Sequence, residues 1–262
     1  MGVDLRLDTR VADLDSLFDE GYEAVLIAAG AHKGRRLPIP GGELEGVLEA
    51  TALLRDTRLG HPPDVGKRVL VLGGGDVAFD AARTALRLGA SFVDVAFLES
   101  QEDMLASPAE VQAATDEGVK LHPSRSFGQI LDRDGRVWGV ECVRVESFSF
   151  RPDGKLELET KPASEHILGC DTVVFATGQG VDLGSLATGG GVEVTSAGAA
   201  VADPETMQTQ RPGVFAAGDA VTGTSFVVEA IAAGHRSADA IERYLSGRDS
   251  TPPYTPPPNT VT

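Results

Sequence analysis

The residues with the clearest chemical pattern form a glycine-rich turn, Gly73-x-Gly75-x-x-Ala78, between a predicted strand and a predicted helix. Gly73 permits a tight turn, Gly75 lets the backbone approach a pyrophosphate, and the small Ala78 lets the helix pack closely on the strand. The positive end of the helix then faces the phosphates. The pattern favours a dinucleotide site over a purely structural turn, with contacts expected from Gly73, Gly74, Gly75, Asp76, Val77 and Ala78.

A carboxylate at the end of the next predicted strand adds to this pattern. Glu99 lies within a few residues of the offset of about 20 expected for the acid that binds the adenine ribose hydroxyls. A carboxylate there accepts hydrogen bonds from the ribose and repels a 2′-phosphate. Because no arginine follows in Ser100-Gln101-Glu102-Asp103, we predict NAD(H) in preference to NADP(H). The alternative is that Glu99 is an exposed acid at a strand end.

Two further predicted strands end in a glycine. One strand runs into Thr177-Gly178 and the other into Gly218-Asp219. Open α/β sheets bind ligands outside the carboxyl ends of their strands, so both ends are candidate ligand contacts. For Gly218-Asp219 the alternative is a turn that only leads into a helix.

The elements around the glycine turn predict one βαβ unit. A strand over 67–72, a helix over 76–88 and a strand over 91–98 give about thirty residues, the size of one crossover. Short β-type segments with turn signals over 119–160 predict an antiparallel meander. A helix with a capping Ser or Thr at its start is predicted over 225–245.

The composition restricts the class of protein. With 262 residues the chain has room for two domains, and its net charge of −16 disfavours nucleic acid and anionic membranes as partners. Cys142 and Cys170 are too few for a disulfide framework, a zinc site or an iron–sulfur cluster, which suits a reducing cytoplasm. No segment approaches the ~20 apolar residues that span a bilayer, so we expect neither membrane insertion nor secretion.

The sequence offers no separate catalytic group and no metal-ligand cluster. The five histidines are scattered, no Gly-x-Ser-x-Gly elbow occurs, and neither cysteine has a Cys-x-x-Cys partner. We therefore expect a bound cofactor, and not a protein side chain, to carry any redox chemistry.

Four ordered motifs resemble the glutamate synthase small-subunit family, a branch of the FAD-dependent pyridine nucleotide-disulfide oxidoreductases. Residues 73–85 resemble its NAD(P) motif. The other three motifs are two segments where the chain crosses between domains and a flavin-binding ending, found here at 28–41, 175–179 and 212–234.

The resemblance implies an α/β fold in which a Rossmann-like NAD(P)-binding domain with an antiparallel meander is interleaved with a partial FAD-binding domain. The expected segments are a first FAD-lobe segment at 1–56, the NAD(P)-binding domain at 57–178, a second FAD-lobe segment at 179–246 and a flexible Pro-rich tail at 247–262.

The resemblance also implies further cofactor contacts. Asp219 is expected to hydrogen-bond the flavin ribityl chain, and the helix start at Thr224-Ser225-Phe226 is expected to face the pyrimidine end of the flavin. The implied NAD contacts are Thr177, Gly178 and Gln179, and the implied FAD contacts are Ala29, Gly30, Gly218, Asp219, Thr224, Ser225 and Phe226.

Two departures from the family pattern matter. The family's FAD-binding glycine motif and its N-terminal iron–sulfur domain lie upstream of anything that matches Met1, so the FAD site of this chain is expected to be incomplete. Leu98-Glu99-Ser100 stands where members that use NADPH carry a pair of arginines, in agreement with NAD(H).

The expected function is an NADH-oxidising, FAD-linked electron-input subunit for a partner redox subunit that contains iron–sulfur clusters. Two alternatives remain open. One is an NAD(H)-binding module that holds no flavin and turns nothing over by itself, and the other is a regulatory subunit that senses the NADH/NAD ratio.

Overall fold

The computed structural model describes residues 2–151, 156–184, 186 and 189–248. The chain forms two compact units, of which one is a single sequence segment and the other combines two segments. The central unit is Gly34–Gly178, and the terminal unit combines Met1–Lys33 with Gln179–Thr262.

The elements of the described residues, in chain order, are as follows. They are α1 (Asp15–Asp19), β1 (Val25–Ile27), β2 (Lys33–Gly34), β3 (Val47–Glu49), α2 (Ala50–Arg58), β4 (Arg68–Leu72), α3 (Asp76–Arg87), β5 (Phe92–Ala96), α4 (Pro108–Asp116), β6 (Lys120–His122), β7 (Arg125–Arg133), β8 (Arg136–Phe150), β9 (Leu156–Thr160), β10 (His166–Gly169), β11 (Thr172–Phe175), β12 (Gln179–Gly180), β13 (Val214–Ala216), α5 (Asp219–Thr222) and α6 (Val227–Leu245).

The central unit contains a five-stranded parallel sheet of order β3-β11-β4-β5-β6. The last four residues of β4 are buried, as expected for an inner strand of a parallel sheet covered on both faces. From β4 the chain continues to β5 and β6 on one side, whereas β11 and β3 lie on the other side. The strand order therefore reverses between β4 and β11, which is the point where doubly wound sheets bind ligands.

Helices cover one face of this sheet. The buried positions of α3 recur at helical spacing, and they pack with α2, α4 and side chains of β4 and β5. Those buried positions are Ala78, Phe79, Ala81, Ala82 and Ala85. Because four of the five are alanines, the backbone of α3 lies close to the sheet, and this fixes where the helix begins.

An antiparallel meander packs near the opposite face. β8 pairs with β7 and β10 along its first part and with β9 along its last part. Val140 and Cys142 of β8 contribute to a buried cluster that also contains Leu70 and Leu72 of β4. The predicted meander over 119–160 is confirmed as antiparallel, except that β6 at its start belongs to the parallel sheet through β5.

The terminal unit contains a two-stranded parallel sheet, in which Val25 pairs with Val214 and Ile27 with Ala216. Its long helix α6 buries Ala233, Ser237 and Ala240. The first turn of α6 is exposed on all sides, and Val227 and Val228 are both largely accessible to solvent. The short strands β2 and β12 pair with each other as a separate two-stranded sheet.

The expected α/β class, with a Rossmann-type parallel sheet and an antiparallel meander, is confirmed. The change of unit after Lys33 lies within the predicted crossing segment 28–41. The boundary predicted after residue 56 differs from it, because β3 pairs with β11 and Leu53 of α2 lies in the core of the central unit. The assignment of cofactors to the segments remains a prediction.

Two local predictions need comment. The helix predicted from residue 225 begins at Val227, and its N-cap residue is Phe226 with no side-chain hydrogen bond, so the expected Ser or Thr cap is wrong. The predicted tail lies outside the described residues from 249 onward.

In the part of the chain that the structure describes, every helix is too short or too polar to cross a membrane.

Candidate functional site

The carboxyl ends of three adjacent parallel strands bring the predicted nucleotide contacts to one edge of the central sheet. The glycine turn follows β4, Glu99 follows β5, and Thr177 and Gly178 follow β11. Since β11, β4 and β5 are neighbours in that order, these segments lie side by side at the point where the strand order reverses.

Gly73 occupies a position that accepts only glycine. Its φ of +137° lies in the region that L residues avoid, and a Cβ atom there would lie 2.3 Å from the carbonyl oxygen of Ala176. Its N–H donates to the carbonyl oxygen of Ala96 at 2.8 Å. The first glycine of the turn therefore lets the chain pass between the ends of the two neighbouring strands.

Gly74 is in contact with the segment that carries the predicted ribose-binding acid. A Cβ atom on Gly74 would lie 2.9 Å from Cβ of Phe97 and 3.2 Å from Oε2 of Glu99. The Glu99 side chain, which is partly buried, therefore faces the glycine turn. This is the geometry that a carboxylate needs to accept hydrogen bonds from a ribose next to a pyrophosphate.

Gly75 faces open space. It is the N-cap residue of α3, and a Cβ atom built on it would have no neighbour within 4 Å. The first backbone N–H groups of a helix have no intrahelical acceptor and carry the positive end of the helix dipole. Ala78 is fully buried in the core one turn further on, so its small side chain allows this close approach of the helix.

Two residues of the motif make contacts within the protein. Asp76 Oδ1 accepts a hydrogen bond from the Ser107 N–H at 2.8 Å, and Val77 packs against the helix-side core. The Ala106 N–H also donates to the Gly74 carbonyl oxygen at 3.1 Å. The sequence-based prediction missed Ala106 and Ser107, because a contact made through backbone N–H groups leaves no signal in residue types.

The predicted contacts after β11 hold a neighbouring segment of the central unit. Thr177 Oγ1 donates to the carbonyl oxygen of Arg35 at 2.8 Å, and the Arg35 N–H donates to the Gly178 carbonyl oxygen at 3.0 Å. Gly178 has a φ of +113°, so a side chain there would strain the backbone. Gln179 begins β12 and is partly buried.

The predicted flavin contacts form a second group, within the terminal unit. Ala29 and Gly30 come shortly after β1, and Gly218 and Asp219 come after β13. Because β1 and β13 are adjacent and parallel, the two pairs lie at the same edge of that small sheet. Thr224, Ser225 and Phe226 are exposed and lead into α6.

Asp219 supplies an acceptor that fits a sugar-like hydroxyl. Its Oδ1 atom is buried and has no hydrogen-bond partner among the described residues. A buried carboxylate oxygen without a donor is costly and is normally paired in proteins. The hydroxyls of a flavin ribityl chain are donors of the required kind, so the residues after β13 fit that group.

The charged groups on the outer side of α3 form an ion-pair network. Arg83 contacts Glu110 and Glu117 at 2.8 Å each, which lowers the pKa of Glu117 below its ordinary value. Burial, together with the nearby Glu110, raises the pKa of Asp80. These groups lie along α3 beyond its first turn, so they contribute to the packing of α3 with α4 and not to the glycine turn itself.

The two cysteines lie away from these strand ends. Cys142 and Cys170 are free and buried among the side chains between sheet and meander. Burial raises the pKa of each thiol to about 12, so neither is a reactive thiolate near neutral pH. Among the described residues, no group of three or more His, Cys, Asp or Glu side chains is arranged to hold a metal ion.

Comparison with known proteins gives a consistent family. Residues 3–234 match the pyridine nucleotide-disulphide oxidoreductase family. The chain is 38% identical over 258 residues to the NADP(+)-dependent formate dehydrogenase subunit beta of Moorella thermoacetica, covering 96% of this chain and 36% of that protein. It is 35% identical over 264 residues to the glutamate synthase [NADPH] small chain of Escherichia coli, covering 94% and 56%.

A third relative, the NADPH-Fe(3+) oxidoreductase subunit beta of Geobacter sulfurreducens, is 34% identical over 277 residues, covering 94% of this chain and 40% of that protein. The chain thus spans between about a third and just over half of the length of these relatives. Among solved structures, Mycobacterium tuberculosis FprA in complex with NADPH gives a TM-score of 0.74 at 16% identity, covering 95% of this chain and 70% of that one. That likeness supports the fold.

Proposed function

The chain belongs to the pyridine nucleotide-disulphide oxidoreductase family, and on that premise we propose that it is the nucleotide-binding part of a flavin-linked NAD(P)H oxidoreductase that serves a partner redox subunit. The observation that carries the proposal is the glycine turn after β4. It opens at Gly75 towards free space, beside the carboxylate of Glu99, at the point where the strand order reverses.

The residues of the central unit would bind and orient the dinucleotide. The N–H groups at the start of α3 would hold the pyrophosphate, and Glu99 would accept hydrogen bonds from the adenine ribose. When bound, nicotinamide and flavin supply the hydride chemistry, so the protein itself needs to provide position and electrostatic field. Cys142 and Cys170, which are buried with raised pKa values, would take no part in that chemistry.

The proposed flavin contacts are those of the terminal unit. Asp219 would accept a hydrogen bond from a ribityl hydroxyl through its unpaired Oδ1, and Ala29 and Gly30 would contribute backbone groups at the same sheet edge. The N–H groups after Phe226 would favour negative charge on the flavin. The two-stranded sheet supports only part of a FAD site, so we propose that this chain holds FAD incompletely.

We further propose a preference for NAD(H) over NADP(H). Oε2 of Glu99 lies against the glycine turn, where it would repel a 2′-phosphate. The three relatives compared above carry NADP or NADPH in their names, so the preference rests on this chain's own acid.

The preference is tested by measuring the dissociation constants of NADH and NADPH for the wild type and for Glu99→Arg. We expect the wild type to bind NADH about tenfold or more tightly than NADPH, a difference of about 1.4 kcal/mol. In Glu99→Arg, NADH should bind more weakly and the ratio should move towards NADPH, because an arginine attracts the 2′-phosphate. An unchanged ratio in this variant would contradict the preference.

Glu102→Arg is the matched control, because it makes the same charge change at an exposed position three residues further along the chain. At physiological ionic strength, charges more than about 8 Å apart are largely screened, so a contact effect at Glu99 should clearly exceed the effect at Glu102. Equal shifts in both variants would assign the preference to the general negative field.

A second candidate function is an NAD(H)-binding module that holds no flavin by itself. The small terminal sheet favours this state for the isolated chain, because two strands give little surface to anchor the ADP half of FAD. Purified protein distinguishes the candidates. A yellow solution with flavin absorbance supports the flavin-containing enzyme, and a colourless solution that binds NADH supports the module, which is the result we expect.

The partner is proposed to be a redox subunit that contains iron–sulfur clusters, in a reducing cytoplasm that keeps Cys142 and Cys170 as free thiols. The relatives named as beta subunits and small chains support an assembly of more than one chain. Purification of the native complex, followed by iron, sulfide and flavin analysis, tests this. A complex without iron would remove the iron–sulfur assignment and leave the nucleotide site untouched.

A further inference from the structure

The segment from Glu99 to Ser107, here called the acidic segment, is attached to the glycine turn. The Ala106 N–H donates to the Gly74 carbonyl oxygen at 3.1 Å, and the Ser107 N–H donates to Asp76 Oδ1 at 2.8 Å. At the other end, the Glu99 carbonyl oxygen accepts a hydrogen bond from the Ser124 N–H at 2.8 Å. The acidic segment is therefore held at both ends.

Between these ends the segment is mainly exposed. The residues at 101–103 are exposed, and Leu105 has 75% of its surface accessible. Within this part, Ser100 Oγ donates to Asp103 Oδ2 at 2.7 Å, and the partly buried Met104 packs against the core cluster that contains α3. The position of the Glu99 carboxylate therefore depends on this packing and on the attachments at the ends of the segment.

Asp76 supplies the hydrogen bond of this attachment that depends on a side chain. The Ala106 contact joins two backbone groups and is therefore the same for any residue type. Asp76 is also the first residue of α3, where its charge has the same sign as a pyrophosphate bound at the helix start. A carboxylate at that point is unfavourable as a direct ligand contact, but its Oδ1 is already directed to Ser107.

We propose that Asp76 is a positioning residue, which holds the acidic segment against the glycine turn and thereby sets the Glu99 carboxylate for the adenine ribose. This inference rests on the proposed function. It reassigns Asp76 from a residue expected to contact the nucleotide to one that acts through Glu99. The alternative is a purely structural role, in which the Asp76 charge only stabilises the start of α3.

Asparagine and alanine at this position separate the two roles. Both variants remove the charge, but only Asp76→Asn keeps an oxygen that accepts the Ser107 N–H. If Asp76 positions the segment, Asp76→Ala should bind NADH about tenfold more weakly and lose most of its NADH-over-NADPH preference, in line with the loss of one charged hydrogen bond. Asp76→Asn should keep the preference and bind both nucleotides at least as tightly as the wild type.

Asp80→Ala is the matched control, since it removes an exposed carboxylate from the same helix one turn further on. Its NADH-to-NADPH ratio should remain that of the wild type. In a Glu99→Gln background, Asp76→Ala should change NADH affinity less than about twofold, because the residue through which it acts has been removed.

Hydrogen exchange of the Ser107 N–H in the nucleotide-free chain tests the attachment directly. It should be faster in Asp76→Ala than in the wild type or in Asp76→Asn. If Asp76→Ala does not fold, Asp76→Glu keeps the charge at the helix start but displaces the carboxylate by one methylene, and the preference should again fall.

Equal nucleotide preference in Asp76→Ala and Asp76→Asn would overturn the proposal, as would a lower unfolding temperature with an unchanged preference. A wild-type chain that binds neither NADH nor NADPH would instead overturn the proposed function, and this inference with it. A wild type that binds NADH, with Asp76 variants that do not alter the ratio, would overturn the positioning role alone.

Discussion

The molecule contains two junctions of the same local design, each with a strand, a glycine and an aspartate that begins a helix. Gly75-Asp76 follows β4 in the central unit, and Gly218-Asp219 follows β13 in the terminal unit. The environments differ: β4 is an inner strand of a five-stranded sheet, whereas β13 belongs to a two-stranded sheet. The helix after the first junction has 12 residues and the helix after the second has 4.

The two aspartates show what this difference means. Asp76 Oδ1 accepts the Ser107 N–H, so the first junction is complete within the protein and presents backbone groups at Gly75. Asp219 Oδ1 is buried without a partner among the described residues. The same local sequence thus gives an aspartate that is paired within the protein in one unit and a buried acceptor without a partner among the described residues in the other. We propose that the first junction binds an anion and the second a hydroxyl group.

The largest expected effect is on stability, and it differs between Gly73 and Gly75 of the first junction. Gly73→Ala would bring a Cβ atom to 2.3 Å from the Ala176 carbonyl oxygen at a positive φ, so we expect a loss of about 3 kcal/mol or more in the free energy of unfolding. Gly75→Ala meets no neighbour and should cost at most about 1 kcal/mol. Its added methyl group should nevertheless weaken NADH binding about 10- to 100-fold, because it fills the space of the pyrophosphate.

Denaturant unfolding and NADH titration of both variants check this contrast. A folded Gly75→Ala variant that binds NADH as the wild type does would place the pyrophosphate elsewhere. A fully stable Gly73→Ala variant would show that the turn can move away from the end of β11.

The next largest effect is a difference in stability between alanine variants of the two aspartates. Asp76→Ala removes a satisfied hydrogen bond and should lower the free energy of unfolding by about 1 kcal/mol. Asp219→Ala removes an unpaired buried acceptor, which itself costs about 1–3 kcal/mol, so the variant should be as stable as the wild type or more stable. Thermal unfolding of both purified variants measures the difference.

If Asp219→Ala destabilised the chain as much as Asp76→Ala, the second aspartate would have an internal partner and the contrast between the junctions would disappear. Asp219→Asn is a useful companion variant, because it keeps the shape of the side chain and removes its charge. Its stability should also be no lower than that of the wild type.

The parts of the site that could be predicted from the sequence are those that depend on local residue types. The glycine turn and the acid after the next strand follow from a pattern that is continuous in sequence, and the structure gives Gly73 the positive φ that such a turn requires. The helix after the turn was expected over 76–88 and runs from Asp76 to Arg87, since its alanine-rich face has clear helical spacing.

The parts that could not be predicted depend on contacts between distant residues. Segment 34–56 belongs to the central unit because Val47 pairs with Val173, a contact between residues far apart in sequence that local residue types do not indicate. The Asp76–Ser107 hydrogen bond joins a side chain to a backbone group, so residue types alone do not indicate it. The cap at α6 was expected from a Ser, but the chain enters that helix through Phe226 without a side-chain bond.

The smallest expected effect concerns the two thiols, which report on the central unit alone. Cys142 and Cys170 are buried there, and burial raises the pKa of each thiol from its ordinary value near 9 to about 12. The neutral thiol is therefore favoured in the folded state. Its contribution to stability is fully present below about pH 9 and is lost as the pH rises from about 9 to about 12.

At pH 8 we accordingly expect iodoacetamide to modify both thiols at least about a hundredfold more slowly in the folded chain than in denaturant, since the thiolate is the reacting form. Asp219→Ala should leave this rate unchanged, because its junction lies in the other unit. Gly73→Ala should increase it, since it disrupts the sheet that covers both cysteines. Fast labelling of the folded wild type would show that the core between the sheet and the meander opens readily. The junction at Gly75-Asp76 would then lack the stable sheet on which its contrast with the junction at Gly218-Asp219 depends.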